Sequence, residues 1–168
     1  MNRRYTNNLL GALALALADR VEDSLEHELG AGGNVSPALM SIGTRPGESI
    51  DQLAKVLGLS HSAAVRLVHR LDDKGWVRRR RGGEDGRAVL LGLTRSGTSA
   101  FRQLLNARDE TIEGVIDGLT RQERDTLCDL LTKMLGAIPG SQEEARHVCR
   151  LCEHSICAGA RCPVGSAV

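Results

Sequence analysis

Four of the five cysteines fall in the last twenty residues, as Cys149-x2-Cys152-x4-Cys157-x4-Cys162. Thiolates at such short intervals can close a cage around one soft metal centre. A second group of residues could do different chemistry. Between Ser60 and Gly75, Ala64, Leu67, Val68 and Leu71 recur at i, i+3, i+4 and i+7, one buried stripe of an α-helix. The opposite face carries His61, Ser62, Val65, Arg66, His69 and Arg70. That face suits a major groove: arginine for guanine, hydroxyl and imidazole for phosphates and base edges, a methyl for thymine.

Those side chains need a frame. Residues 49–60 read as a short helix, a Gly58 stop and a new helix start at Ser60, which is a helix-turn-helix. After Gly75, Trp76 to Arg81 alternates like a strand and then runs basic, with Arg79, Arg80 and Arg81 able to meet phosphates. Residues 82–86, Gly-Gly-Glu-Asp-Gly, make a tight turn, and Arg87 to Leu93 is the returning strand. Asp85 at this spacing can hold Arg87 extended from the hairpin tip, as a narrow minor groove requires.

Asp85-x-Arg87, Val89, Leu90, Leu93-Thr94 and Gly97, preceded by Leu71-x-x-Lys74-Gly75-Trp76-Val77-x-Arg79, resemble the MarR family of bacterial regulators. The likeness is close from Ile50 to Gly97 and extends less closely from Asn7 to Ala137, but not into the tail. It implies a homodimer of winged helix-turn-helix subunits on a palindromic double-stranded DNA operator. It also implies a repressor, usually released by a small-molecule effector or by oxidation.

Charge distribution agrees with a DNA-facing segment. The formal net charge is only +1. Residues 66–95, however, hold nine Lys or Arg against four Asp or Glu, while the flanking stretches are each net −2. Charge confined to one face is the footprint of a nucleic-acid surface. A run of arginines can also be a solvated strand end; its place beside a groove-shaped helix favours phosphate contact.

The rest of the chain reads as helices, giving a mainly α fold with a small β-wing: a winged helix-turn-helix plus a helical dimerisation bundle. A first helix from Thr6 to Leu29 is apolar over half its surface, more than one packing face needs. Its basic start and Leu/Ala run mimic a secretory signal, but it continues unbroken into a charged amphipathic helix, so the expectation is a cytoplasmic protein without membrane attachment. A short helix begins at Pro37, after Asn34-Val-Ser36 restarts the chain with a cap. Two long helices come after the wing: Arg95 to Gly118, and one opened by a Thr120–Glu123 capping box and ended at Gly136. The expected division is a dimerisation helix in 1–33, the DNA-binding domain in 34–97, dimerisation helices in 98–140 and a cysteine-rich tail in 141–168. Aromatics are 2% of the chain, so the core must be Leu, Val and Ala, with Trp76 and Phe101 placed in it. Cys128 falls on an apolar stripe and reads as a small buried hydrophobe.

Two metal centres suit the tail. Zinc takes four sulfurs tetrahedrally, and the spacing resembles a zinc knuckle with Cys157 in place of histidine. An iron–sulfur cluster takes four thiolates as well, and Cys162-Pro163 resembles a ferredoxin ending, although the intervals do not. Zinc is favoured, with the cluster as alternative; His147 and His154 read as surface residues rather than ligands. A filled site would fix the tail against the dimer helices or shift the separation of two recognition helices. Two other functions use the same cysteines. A zinc-thiolate enzyme needs an open ligand position, which four cysteines leave no room for. A zinc-knuckle RNA-binding adaptor stacks bases on aromatics, and the tail has none.

Overall fold

The computed structural model describes residues 2–82, 88–138, 140–157 and 162–165. Asp85 and Arg87 at the expected wing tip, and Arg161 of the tail, lie outside the described residues. The elements run α1 (Arg3–Leu29), α2 (Val35–Thr44), α3 (Ile50–Leu57), α4 (His61–Asp73), β1 (Val77–Gly82), β2 (Ala88–Leu93), α5 (Arg95–Ile116), α6 (Arg121–Gly136) and α7 (Gln142–Val148). They form a mostly helical fold with a two-stranded antiparallel wing.

Helix ends obey local chemistry, with two departures from expectation. α1 begins before Thr6 because the Asn2 side chain accepts from the Arg4 N–H at 3.0 Å. α2 begins at Val35, and Asn34 gives it no side-chain cap. Pro37 is therefore the third helical residue, where a missing N–H costs no intrahelical bond. α3 opens on a capping box between Ser49 and Gln52 and ends on Gly58, whose φ of +64° is one that glycine adopts freely. α4 is capped by Ser60, which accepts from the Ala63 N–H at 3.3 Å.

The core is assembled around α2, which buries Val35, Ala38, Leu39, Met40 and Ile42. Leu53 of α3, Leu71 of α4, Val77 and Leu91 at the wing base and Leu104 of α5 close around it. Val21 and Leu25 of α1 complete one side, with Leu17 and Leu29 half-buried on the same stripe. Val77 pairs with Leu93 and Gly82 with Ala88, so the wing hangs from the core by its base.

α6 stands apart. None of its residues is buried, and it makes no substantial packing against another element of its own chain. Leu130, Leu131 and Met134 are exposed on it, as are Leu9, Leu10 and Leu13 on α1. Cys128, expected to be buried, is exposed, because no element among the described residues packs substantially on α6. Among the described residues, no helix is long and apolar enough to cross a membrane.

Candidate functional site

The recognition stripe is placed as its periodicity requires. Ala64, Leu67, Val68 and Leu71 are buried, whereas His61, Ser62, Arg66, His69 and Arg70 are exposed and Val65 is half-buried. His61 Nδ1 donates to Asp51 of α3 at 2.6 Å, tying the start of α4 to the preceding helix. Arg66 has no hydrogen-bond or ion-pair partner among the described residues, so its guanidinium is available to a ligand.

The wing arginines divide by distance from the strand base as well as by face. Arg79 is half-buried and points back at α4, where Nη2 donates to His69 Nδ1 at 2.8 Å. Its Nε stands 3.2 Å from Asp72 Oδ2, an ion pair without hydrogen-bond alignment. Arg79 and His69 thus brace the wing against the recognition helix. Arg80 and Arg81 are exposed. With Arg78, Arg102 and Phe101 they border a cleft of about 630 Å³. Phe101 packs on the core, as does Trp76, and each also borders a surface cleft.

All four tail cysteines, each half-buried, line one cavity of about 400 Å³ together with Arg45, Arg146 and His154. Burial, helped by the neighbouring Cys152 and Cys162, pushes the Cys149 thiol up to about 12. Burial also raises Cys152, against the pull of Arg108. Neighbouring thiolates repel, so a cation among them would favour the charged forms. The Gly165 N–H points at Cys162 Sγ from 3.2 Å, the contact that a metal-bound thiolate accepts. The donor chemistry therefore fits a soft dication. Among the described residues, no three His, Cys, Asp or Glu side chains stand closed up as a metal cage.

The tail docks elsewhere than the sequence suggested. Rather than lying on the dimer helices alone, it builds α7, capped by Ser141 accepting from the Glu144 N–H, and packs α7 on α3 of the helix-turn-helix. Arg146 pairs with Glu48, and His147 Nδ1 donates to the Val56 carbonyl at 2.9 Å. His154 Nε2 lies 3.4 Å from the Cys149 carbonyl, and burial lowers its pKa. His154 is half-buried rather than on the surface, whereas His147 is exposed as expected. The tail also reaches α6, since a Cβ on Gly136 would stand 3.5 Å from the Pro163 carbonyl oxygen. Sequence reasoning placed Arg146 near the thiolates but missed Glu48, their pairing and α7; the Ser141-x-x-Glu144 start was the signal available for α7.

Comparison with known proteins agrees with this geometry. A model described as MarR family matches residues 30–88. An uncharacterised HTH-type transcriptional regulator, YwhA of Bacillus subtilis, is 30% identical over 102 residues, 60% of this chain and 73% of the relative. The transcriptional repressor MprA of Escherichia coli is 25% identical over 145 residues, covering 83% of this chain and 82% of MprA. The crystal structure of E. coli MarR in its apo form superposes with a TM-score of 0.62 at 28% identity, covering 77% of this chain and 97% of MarR. With the winged helix-turn-helix, its exposed basic recognition face and these relatives taken together, the chain belongs to the MarR family of transcriptional regulators.

Proposed function

We propose that this chain is a homodimeric repressor that reads a palindromic duplex and carries one zinc ion in its cysteine tail. The observation that carries the DNA reading is the exposed face of α4, with an exposed Arg66 at its centre and the basic wing beside it. His61, Ser62, Val65, Arg66 and Arg70 would meet base edges and phosphates, and Arg80 and Arg81 the flanking backbone. Asp85 and Arg87 are proposed for the minor groove on sequence grounds alone. MarR family members are transcription regulators and not enzymes, so the zinc-thiolate enzyme is set aside.

The dimer is supported by α6. A sixteen-residue helix with no buried residue, met by the tail only near its C-terminal end among the described residues, is marginal alone, and its apolar row finds cover on a second copy. A two-fold pair would set two α4 helices about 34 Å apart, one turn of duplex. MprA is a transcriptional repressor, and we take the same sign here. The family resemblance implies a small-molecule effector, and the basic lining of the cleft beside Phe101 would suit an anionic one.

Selection from a randomised duplex pool tests the DNA reading. The expected result is an enriched palindrome, bound far more tightly than single-stranded RNA; preference for the RNA would favour the knuckle-type adaptor instead. Arg66→Ala should cost about 1–3 kcal/mol on the selected site and relax preference at one base pair. Unchanged discrimination at every position would remove Arg66 from base reading.

For the tail, Cys149, Cys152, Cys157 and Cys162 are proposed as the residues that would hold zinc, through four sulfurs. Zinc would supply the positive charge that lets these thiols ionise side by side. Protein purified without oxygen should be colourless and contain one zinc per chain. A brown protein would show an iron–sulfur cluster in its place. Cys152→Ser should abolish stoichiometric zinc, and a full equivalent retained would exclude Cys152 as a ligand.

A further inference from the structure

The helix that leads into the cysteine centre holds both ends of α3. At its C-terminal end, His147 donates to the Val56 carbonyl, one of the last four helix carbonyls that lack an intrahelical partner. At the other end, Arg146 grips the carboxylate of Glu48, the residue immediately before the Ser49 cap. Glu48 is also a joint with the wing. Its carbonyl accepts from the Leu91 N–H at 2.9 Å, and the neighbouring Gly47 N–H donates to the Leu91 carbonyl at 2.8 Å. Two adjacent residues of α7 therefore touch the first helix of the DNA-binding motif and the point where the wing strand meets it.

This grip is poorly able to sustain itself. Glu48 is partly buried, which raises its carboxyl, while Arg146 and Arg45 pull it back down. Glu48 Oε2 and Arg146 Nε are buried without hydrogen-bond partners among the described residues. An ion pair so incompletely bonded repays little of its desolvation. α7 has seven residues, far too few to be helical alone. Its C-cap is Cys149, the first thiol of the cluster, and Arg146 and Cys149 border the same cavity.

We propose that occupancy of the cysteine centre is transmitted to DNA through α7, with Arg146 and His147 as positioning residues. A metal drawing Cys149 to the other three thiolates anchors the end of α7, which keeps Arg146 on Glu48 and His147 on Val56. The loaded protein then presents α3 and the wing base preset for the duplex and binds it more tightly. Without the metal, α7 is released, and part of the binding energy goes to ordering that junction. The inference rests on the metal reading above and adds the direction and the route of its effect.

The test compares zinc-loaded with zinc-stripped full-length protein, thiols kept reduced, on the selected duplex. Loading is expected to tighten binding about tenfold, inside the usual range of coupling between sites. It should also slow amide exchange in Leu53–Leu57. The double variant Glu48→Gln/Arg146→Gln removes both charges of this pair, leaves only the more exposed Arg45 without its Glu48 partner and touches no cysteine. It should still bind one zinc per chain, but with affinities of the loaded and stripped forms within about twofold, a coupling lost as in a double-mutant cycle. His147→Ala, which leaves the ion pair in place, should reduce the zinc effect partway.

The outcomes separate the two readings. Wild type that takes up no equivalent of zinc overturns the metal reading and this inference with it. One equivalent bound with unchanged DNA affinity overturns the coupling alone. Zinc that loosens DNA binding overturns it too, as does a double variant that responds to zinc as the wild type does.

Discussion

Gly97→Ala is expected to destabilise the protein by about 3 kcal/mol, the upper end for forced overpacking, lowering Tm by roughly 6–12 °C. A Cβ at Gly97 would stand 1.8 Å from the Trp76 carbonyl oxygen and 2.7 Å from its carbon. Both are backbone atoms, so no rotamer change can make room. The contact is held from both sides. Thr94, the cap of α5, accepts from the Gly97 N–H at 3.0 Å, and its hydroxyl donates to the Gly75 carbonyl at 2.6 Å. Ser96 Oγ donates to the same carbonyl at 2.7 Å. The added methyl must therefore push α5 away from the start of the wing, straining these bonds and lifting Val77 and Leu104 out of a shared core. Thermal unfolding gives the check, and a Tm within about 1 °C of wild type would show that the joint yields freely.

The second large effect concerns assembly. Leu130→Asp/Leu131→Asp is expected to yield a monomer whose affinity for the palindrome falls by about 10²–10⁴-fold. These leucines are 51% and 43% exposed on a helix that no other element among the described residues packs on substantially. In the proposed dimer, each would meet apolar surface of the second copy, and a carboxylate there would be buried without a partner. A monomer still carries an intact α4, so half-site contacts survive and the linkage between two of them disappears. Analytical ultracentrifugation and a binding titration together decide the matter. A variant that stays dimeric and holds the duplex as before would place the interface elsewhere.

The brace between Arg79, His69 and Asp72 bears on how basic residues near a groove are read. From sequence, Arg79 is one of a row of equivalent arginines and His69 one of a face of polar contacts. Strand alternation turns Arg79 inward, and the acidic end of α4 meets it there. The composition of a basic patch therefore overstates the number of groups free for phosphate, while Arg80, Arg81 and Arg66 keep the exposure that such contacts need.

Much of this protein was determined by local sequence. The period of Ala64, Leu67, Val68 and Leu71, the capping pairs Ser49–Gln52 and Thr120–Glu123 and the Gly58 stop each act within one or two helical turns, so the chain needs no tertiary contact to announce them. The spacing of the four cysteines was equally plain, because their chemistry lies in residue type and interval. Only the fold decided what the tail touches. Arg146 lies 98 positions from Glu48 and His147 lies 91 from Val56, separations across which neither periodicity nor capping carries information. The same holds for Gly97 beneath the Trp76 carbonyl and for the bare face of α6: each is a relation between surfaces, set when the helices close on α2.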